Sequence, residues 1–117
     1  MNVVAAFLVG LVAALHLWFL VLEMFLWTRP AGRRVFGTDA EFAERTKALA
    51  GNQGLYNGFL VAGLVWGLAA DKTDVQLFFL ACVIVAGLYG AATVNRRILL
   101  VQAVPGAVAF AAVLVAR

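Results

Sequence analysis

In its 117 residues the sequence has one cysteine, Cys82, one histidine, His16, and only two prolines. A single cysteine excludes an intramolecular disulfide framework and a cysteine-based zinc site. A single histidine excludes a multi-histidine metal centre within one copy of the chain, so no metal is expected. Charge is also scarce: 13% of residues are charged, 65% are hydrophobic, and the mean hydropathy is +0.99. Soluble globular domains carry roughly 25% charged and roughly 45–50% apolar residues. That imbalance excludes a water-soluble fold and a disordered chain alike. No basic stretch is long enough to read nucleic acid, and no nucleic-acid partner is expected. The formal charge of +3 must then reflect where the arginines sit around a lipid bilayer.

What is present is a series of apolar runs. A spanning helix needs about 20 mostly apolar residues to cross about 30 Å of hydrocarbon. Four segments meet or approach that length, and none alternates with the period of two that a barrel strand requires. The expected architecture is all-α: an integral membrane four-helix bundle forming one transmembrane domain over residues 1–117, with helices at about 3–27, 39–70, 75–94 and 98–116. The first run lacks a basic leading region and a small-residue cleavage site, so it reads as a retained helix and not as a signal peptide. Thr28-Arg29-Pro30-Ala31-Gly32 ends it. Thr38-Asp39-Ala40-Glu41 has the form of a capping box and starts the next helix. At 1.5 Å per residue that second helix is about 48 Å long, so its first turns are expected to protrude into water. Asp71-Lys72-Thr73-Asp74 and Asn95-Arg96-Arg97 form tight turns. Pro105-Gly106 is expected to kink the last helix and free a carbonyl that Gln102 satisfies.

Basic residues set the expected orientation. Arg29, Arg33, Arg34, Arg45, Lys47, Arg96 and Arg97 fall on one side of such a bundle, Lys72 and Arg117 on the other. The richer side is expected to be cytoplasmic, in a bacterial plasma membrane, with both termini outside the cytoplasm.

Polar residues at membrane depth are the informative ones, because an ionisable group there carries an insertion penalty of roughly 2.5–3.5 kcal/mol. His16 and Glu23 are two turns apart on one helical face. Two readings of them stand. Glu23 pairs with an arginine and His16 makes one interhelical hydrogen bond, or the two handle protons or ligand. The second helix carries more: Arg45, Asn52 and Tyr56 share a face with Glu41, and Gln53 and Asn57 form a neighbouring stripe. In lipid these amides must face the bundle interior or another subunit. They are either an interhelical network or the wall of a polar pocket near the inner interface. Gly54-x-x-x-Gly58 and Gly63-x-x-x-Gly67 on the same helix permit close packing, within the chain or at a subunit contact. Tyr89 shares a face with Thr93 and Arg96 and suits an interfacial anchor. Cys82, among apolar neighbours, is expected to be inert.

Several of these stretches have a familiar form. Leu22-Glu23-Met24-Phe25-Leu26-Trp27, Phe36-Gly37, Asn52-Gln53-Gly54-Leu55-Tyr56-Asn57-Gly58-Phe59, Leu88-Tyr89-Gly90 and Gln102-x-x-Pro105 resemble the bacterial domain-of-unknown-function family DUF1304 over nearly the whole chain. That resemblance implies a small four-helix membrane protein without an assigned activity. A more distant likeness is to membrane-associated proteins in eicosanoid and glutathione metabolism, the MAPEG superfamily. Glu44-Arg45 followed by Asn52 is similar to that superfamily's helix 2 motif, and Leu88-Tyr89-Gly90 to its helix 3 signature. The likeness implies a homotrimer with a cytoplasmic-side pocket between neighbours. Glutathione or a similar thiol would be the ligand, and Arg45, Asn52, Tyr56 and Tyr89 would line the pocket. Leu55 and Ala86 stand where the superfamily usually has a glutamate and an arginine. Those replacements remove a partner for the peptide's amino group and a cation for its thiolate.

Three functions follow as expectations. One is an oligomer whose pocket, drawn from Glu23, Arg45, Asn52, Tyr56, Asn57 and Tyr89, binds a small polar or amphiphilic ligand, with transferase or isomerase chemistry if it is an enzyme. Another is a small proton-coupled transporter using Glu23 and His16. The third is a structural or accessory subunit in which His16, Gln53 and Gln102 serve assembly.

Overall fold

The computed structural model describes residues 2–117, and the chain is all-helical there. Helix α1 covers Val3–Met24, α2 Pro30–Phe36, α3 Ala40–Ala69 and α4 Thr73–Thr93. A π-helical turn at Leu99–Ala103 leads into α5, Val104–Ala116. Val3–Met24, Thr73–Thr93 and Leu99–Ala116 are each long and apolar enough to cross a membrane. Among the described residues α3 is not in that set. It is the longest helix, but Glu41, Glu44, Arg45, Lys47 and its three amides dilute its apolar content.

The segment ends show why the boundaries fall where they do. α1 stops at Met24, three residues short of the sequence expectation. The Leu26 amide donates to the Val21 carbonyl five residues back, so the ladder loosens. Pro30 then holds Arg29 extended at φ −82°, ψ 156° and opens α2, a helix the sequence reading did not foresee. The return is tight: a Cβ on Gly32 would lie 1.9 Å from the Leu26 carbonyl oxygen. Gly37, at φ +66°, closes α2, with the Thr38 amide donating to the Arg33 carbonyl. At the start of α3 the cap is Asp39, whose Oδ1 accepts the Phe42 amide at 2.7 Å. The expected Thr38–Glu41 box is displaced by one residue, because the shorter carboxylate already reaches the open amide. α3 ends on Asp71 at φ +51°, with the Lys72 amide bonded to the Gly67 carbonyl and the Asp71 amide to that of Leu68. This is a Schellman closure with a non-glycine residue in the left-handed position.

Contacts divide the chain into two compact units, Met1–Ala14 with Leu60–Arg117, and Leu15–Phe59. In the first unit Ala5, Val9, Val12 and Ala13 of α1 meet Leu64 of α3, Leu80 and Val83 of α4, and Ala109 and Val113 of α5. Alanine and valine make up most of the inward side chains there, with Leu64 and Leu80 among them, while Phe7, Phe78, Leu100 and Val115 face outward. That is the inverse of a soluble core and suits helices whose surroundings are as apolar as their contacts. Backbones approach closely at glycine. A Cβ on Gly87 would be 2.9 Å from the Ala103 nitrogen, and one on Gly63 2.4 Å from the Phe79 ring. Gln76, buried and absent from the sequence reading, donates from Nε2 to the Gly67 carbonyl at 2.8 Å and fastens α4 to the end of α3.

The expected break at Pro105 takes a different form. The Val104 amide bonds the Leu99 carbonyl five residues back, a widened turn that precedes the proline and makes room for its ring. Gln102 does not serve its own helix. Its Nε2 donates to the Val83 carbonyl on α4 at 3.0 Å.

Candidate functional site

The second unit holds most of the polar residues that the sequence singles out. Its geometry starts from two glycines. A Cβ on Gly54 would lie 2.5 Å from Met24 Cγ and 3.2 Å from Glu23 Cβ, and one on Gly58 3.0 Å from Leu20 Cδ1. At Gly54 a larger residue would press on Met24, Glu23 Cβ and the Leu20 carbonyl, whereas at Gly58 only the tip of Leu20 would have to give way. This close approach lets Asn57, almost fully buried, donate from Nδ2 to Glu23 Oε1 at 2.5 Å. Glu23 is therefore joined to an amide of α3, not to an arginine.

The same unit is braced one turn further out. Trp27 Nε1 donates to Thr46 Oγ1 at 3.0 Å, and that hydroxyl donates to the Phe42 carbonyl at 2.7 Å. The Trp27 ring packs on Phe36 of α2 with centroids 4.8 Å apart. Thr46 was missed at the sequence level. A threonine on a polar helical turn carries no signal of its own until a tryptophan is placed opposite it.

His16 is fully buried, its ring edge-on to Phe19 at 5.1 Å. It lies two turns from Glu23, about 10 Å along the helix axis, so the two share a face but not a site. Arg45, Asn52, Gln53 and Tyr56 lie on exposed parts of α3. Tyr56 meets Phe59 edge-on, with centroids 5.8 Å apart. Among the described residues, none hydrogen-bonds the side chains of Asn52 or Gln53. These amides turn away from the interior of their own chain. Lys47 pairs with Glu44 on the exposed first turns.

Tyr89 and Gln102 belong to the first unit. Tyr89 is exposed, and its carbonyl accepts the Thr93 hydroxyl at 2.7 Å. Cys82, two turns earlier on α4, is half-buried, more open than its apolar neighbours suggested. No group of three or more potential metal ligands occurs among the described residues.

An all-helical chain with three helices long and apolar enough to cross a bilayer fits a small helical membrane protein. The chain belongs to a family described as "Protein of unknown function (DUF1304)", which matches residues 10–114. It is similar to the Lactococcus lactis protein described as "Uncharacterized protein YpaA", with 31% identity over 106 residues, covering 87% of this chain and 89% of that protein. No solved structure matches it. None of these comparisons carries the likeness to the MAPEG superfamily.

Proposed function

We propose that the chain works as a homo-oligomeric, four-helix integral protein of the bacterial plasma membrane, in which the outward polar face of α3 lines a small-ligand pocket between copies. One observation carries this reading: Asn52 and Gln53 are exposed on a helix of a membrane protein. With the Ala69 end of α3 at one membrane boundary, Asn52 lies about 26 Å along a helix that crosses about 30 Å of hydrocarbon. That depth leaves its amide just inside the apolar layer, where an unsatisfied polar group costs several kcal/mol. A neighbouring copy, or a ligand held by one, satisfies it.

The residues on that face set the ligand class. The guanidinium of Arg45 offers a planar fork of donors. Asn52 and Gln53 add donors and acceptors, and Tyr56 adds a hydroxyl above an aromatic face. This set suits a small molecule with an anionic head and an apolar body near the inner boundary of the membrane. Glutathione or a similar thiol falls in that class, and the MAPEG likeness adds it and a trimer as specific candidates. Glu23 and Asn57 act as the clamp that holds α3 against α1 behind the face.

The test is native mass spectrometry of the purified protein, with thermal shift against a panel of small organic anions that includes reduced glutathione. The reading expects a closed oligomer and at least one stabilising anion whose effect disappears in Arg45→Ala and in Asn52→Ala. A strictly monomeric protein, or a shift unchanged in both variants, would refute it.

A further inference from the structure

We infer that α4 carries a binding site for one anionic phospholipid, with an acyl chain lying along its outer groove and the phosphate held by Arg96 and Arg97. The site is separate from the α3 face and does not depend on the function proposed for it.

The groove is an open apolar hollow of about 550 Å³ lined by Phe78, Ala81, Cys82, Val85, Ala86 and Tyr89. Its shape follows from residue size. Ala81, Cys82 and Ala86 form a low floor, and the exposed rings of Phe78 and Tyr89 stand at its two ends. Phe78, Cys82, Val85 and Tyr89 repeat on one helical face, and eleven residues at 1.5 Å per residue make it about 16 Å long. Half of a hydrocarbon layer about 30 Å thick is about 15 Å. The groove is therefore about as long as one leaflet is deep, and it covers the middle of α4, starting five residues after Thr73 and ending four before Thr93.

Charge at that end identifies the head. α4 ends at Thr93, and the next turn is fastened by the Asn95 amide on the Gly90 carbonyl at 3.1 Å and by the Arg97 amide on Asn95 Oδ1 at 2.9 Å. Arg96 and Arg97 are exposed on this turn, seven and eight residues past Tyr89. A phosphate held there would leave its acyl chain running back along α4 to the groove. No acidic side chain follows Asp74 in the sequence, and Asp74 lies at the opposite end of α4, so no carboxylate of α4, its turn or α5 neighbours the two guanidinium groups in sequence. A second copy laid in the same groove in parallel would bring the same arginines against one another, which disfavours it as the occupant. A zwitterionic lipid such as phosphatidylcholine brings its own cation beside its phosphate and so leaves the two arginines only partly compensated.

The experiment uses the full chain in mild detergent, titrated with phosphatidylglycerol or with phosphatidylcholine of identical acyl chains, and read by native mass spectrometry. Wild type is expected to retain the glycerol lipid preferentially, by roughly fivefold for each arginine engaged. The Arg96→Ala/Arg97→Ala variant is expected to bind both lipids alike. Ala86→Phe, which fills the floor, is expected to reduce adducts of both. The rate of Cys82 alkylation provides a measurement that needs no substitution. It is expected to fall several-fold with phosphatidylglycerol and to be unchanged by glycerol phosphate at the same concentration. Equal retention of the two lipids by wild type would overturn the inference. So would protection of Cys82 by glycerol phosphate alone, which would indicate a simple anion site. A change in oligomer mass, and not in lipid adducts, on Ala86→Phe would show the groove to be an interface between copies and would overturn it as well.

Discussion

The pairing of Glu23 with Asn57 makes a quantitative prediction. Both groups lie at a crossing fixed by Gly54 and Gly58, and Asn57 is only 8% exposed. Hydrogen bonds between helices in a membrane are worth about 0.6 kcal/mol on average and about 1.7 kcal/mol at most. This one should fall in the upper part of that range, because the glycine crossing holds its partners together and leaves little room for substitutes. In a double-mutant cycle of Glu23→Ala, Asn57→Ala and the double variant, the coupling energy is expected to be about 1–1.7 kcal/mol. Glu23→Gln, which keeps an acceptor oxygen in place, is expected to preserve most of it. The assay is equilibrium unfolding in mixed micelles, with the denaturing detergent as the variable and helical circular dichroism as the signal. A coupling below about 0.3 kcal/mol, the usual limit for independent sites, would show that the two side chains do not act as a pair.

Three further outcomes can be checked in the same assay. Gly87→Ala should destabilise by about 1–3 kcal/mol, because its new methyl would meet the Ala103 backbone, which cannot rotate aside. Gly10→Ala, with nothing within 4 Å, should instead stabilise by up to about 1 kcal/mol; equal effects of the two substitutions would refute the close approach of α4 to the π-helical turn. Asp71→Gly should stabilise by about 1 kcal/mol by relieving the left-handed backbone at the end of α3, and a loss of stability there would mean that the Asp71 side chain matters more than its backbone. Trp27→Phe should cost about 0.5–1.5 kcal/mol through the lost bond to Thr46 and should be additive with nothing further at that hydroxyl, so combining it with Thr46→Val should add little.

Helical character and membrane compatibility were legible because composition alone decides them: a chain this apolar has few ways to satisfy its backbone other than helices. The punctuation at Asp71 and Asn95 was legible too, since short polar clusters between long apolar runs have few other uses. Helix α2 was not. Seven residues beginning at a proline look like a breaker from outside, and only the closure at Gly37 shows the same proline as the first residue of a helix. Partner choice was equally hidden. Glu23 and Asn57 each stand out as polar residues in apolar runs, but they are 34 positions apart, and their meeting depends on where two glycines let helices touch. Gln76 and Gln102 illustrate the same limit. Both use their amides on the backbone of a neighbouring helix, and no local pattern announces which carbonyl is near enough. For α3, the sequence treated its amides alike, yet Asn57 turns inward to Glu23 while Asn52 and Gln53 are exposed.

Helix α3 turns each of its glycine pairs toward a neighbour of its own chain, Gly54 and Gly58 toward Leu20 and Met24, Gly63 and Gly67 toward Phe79 and Gln76. Both of its slender stretches are thus already occupied. Its remaining surface carries polar groups such as Arg45 and Gln53 toward its beginning and large apolar ones such as Phe59 and Trp66 further on. An approach as close as a glycine crossing is therefore closed to any further helix that meets α3.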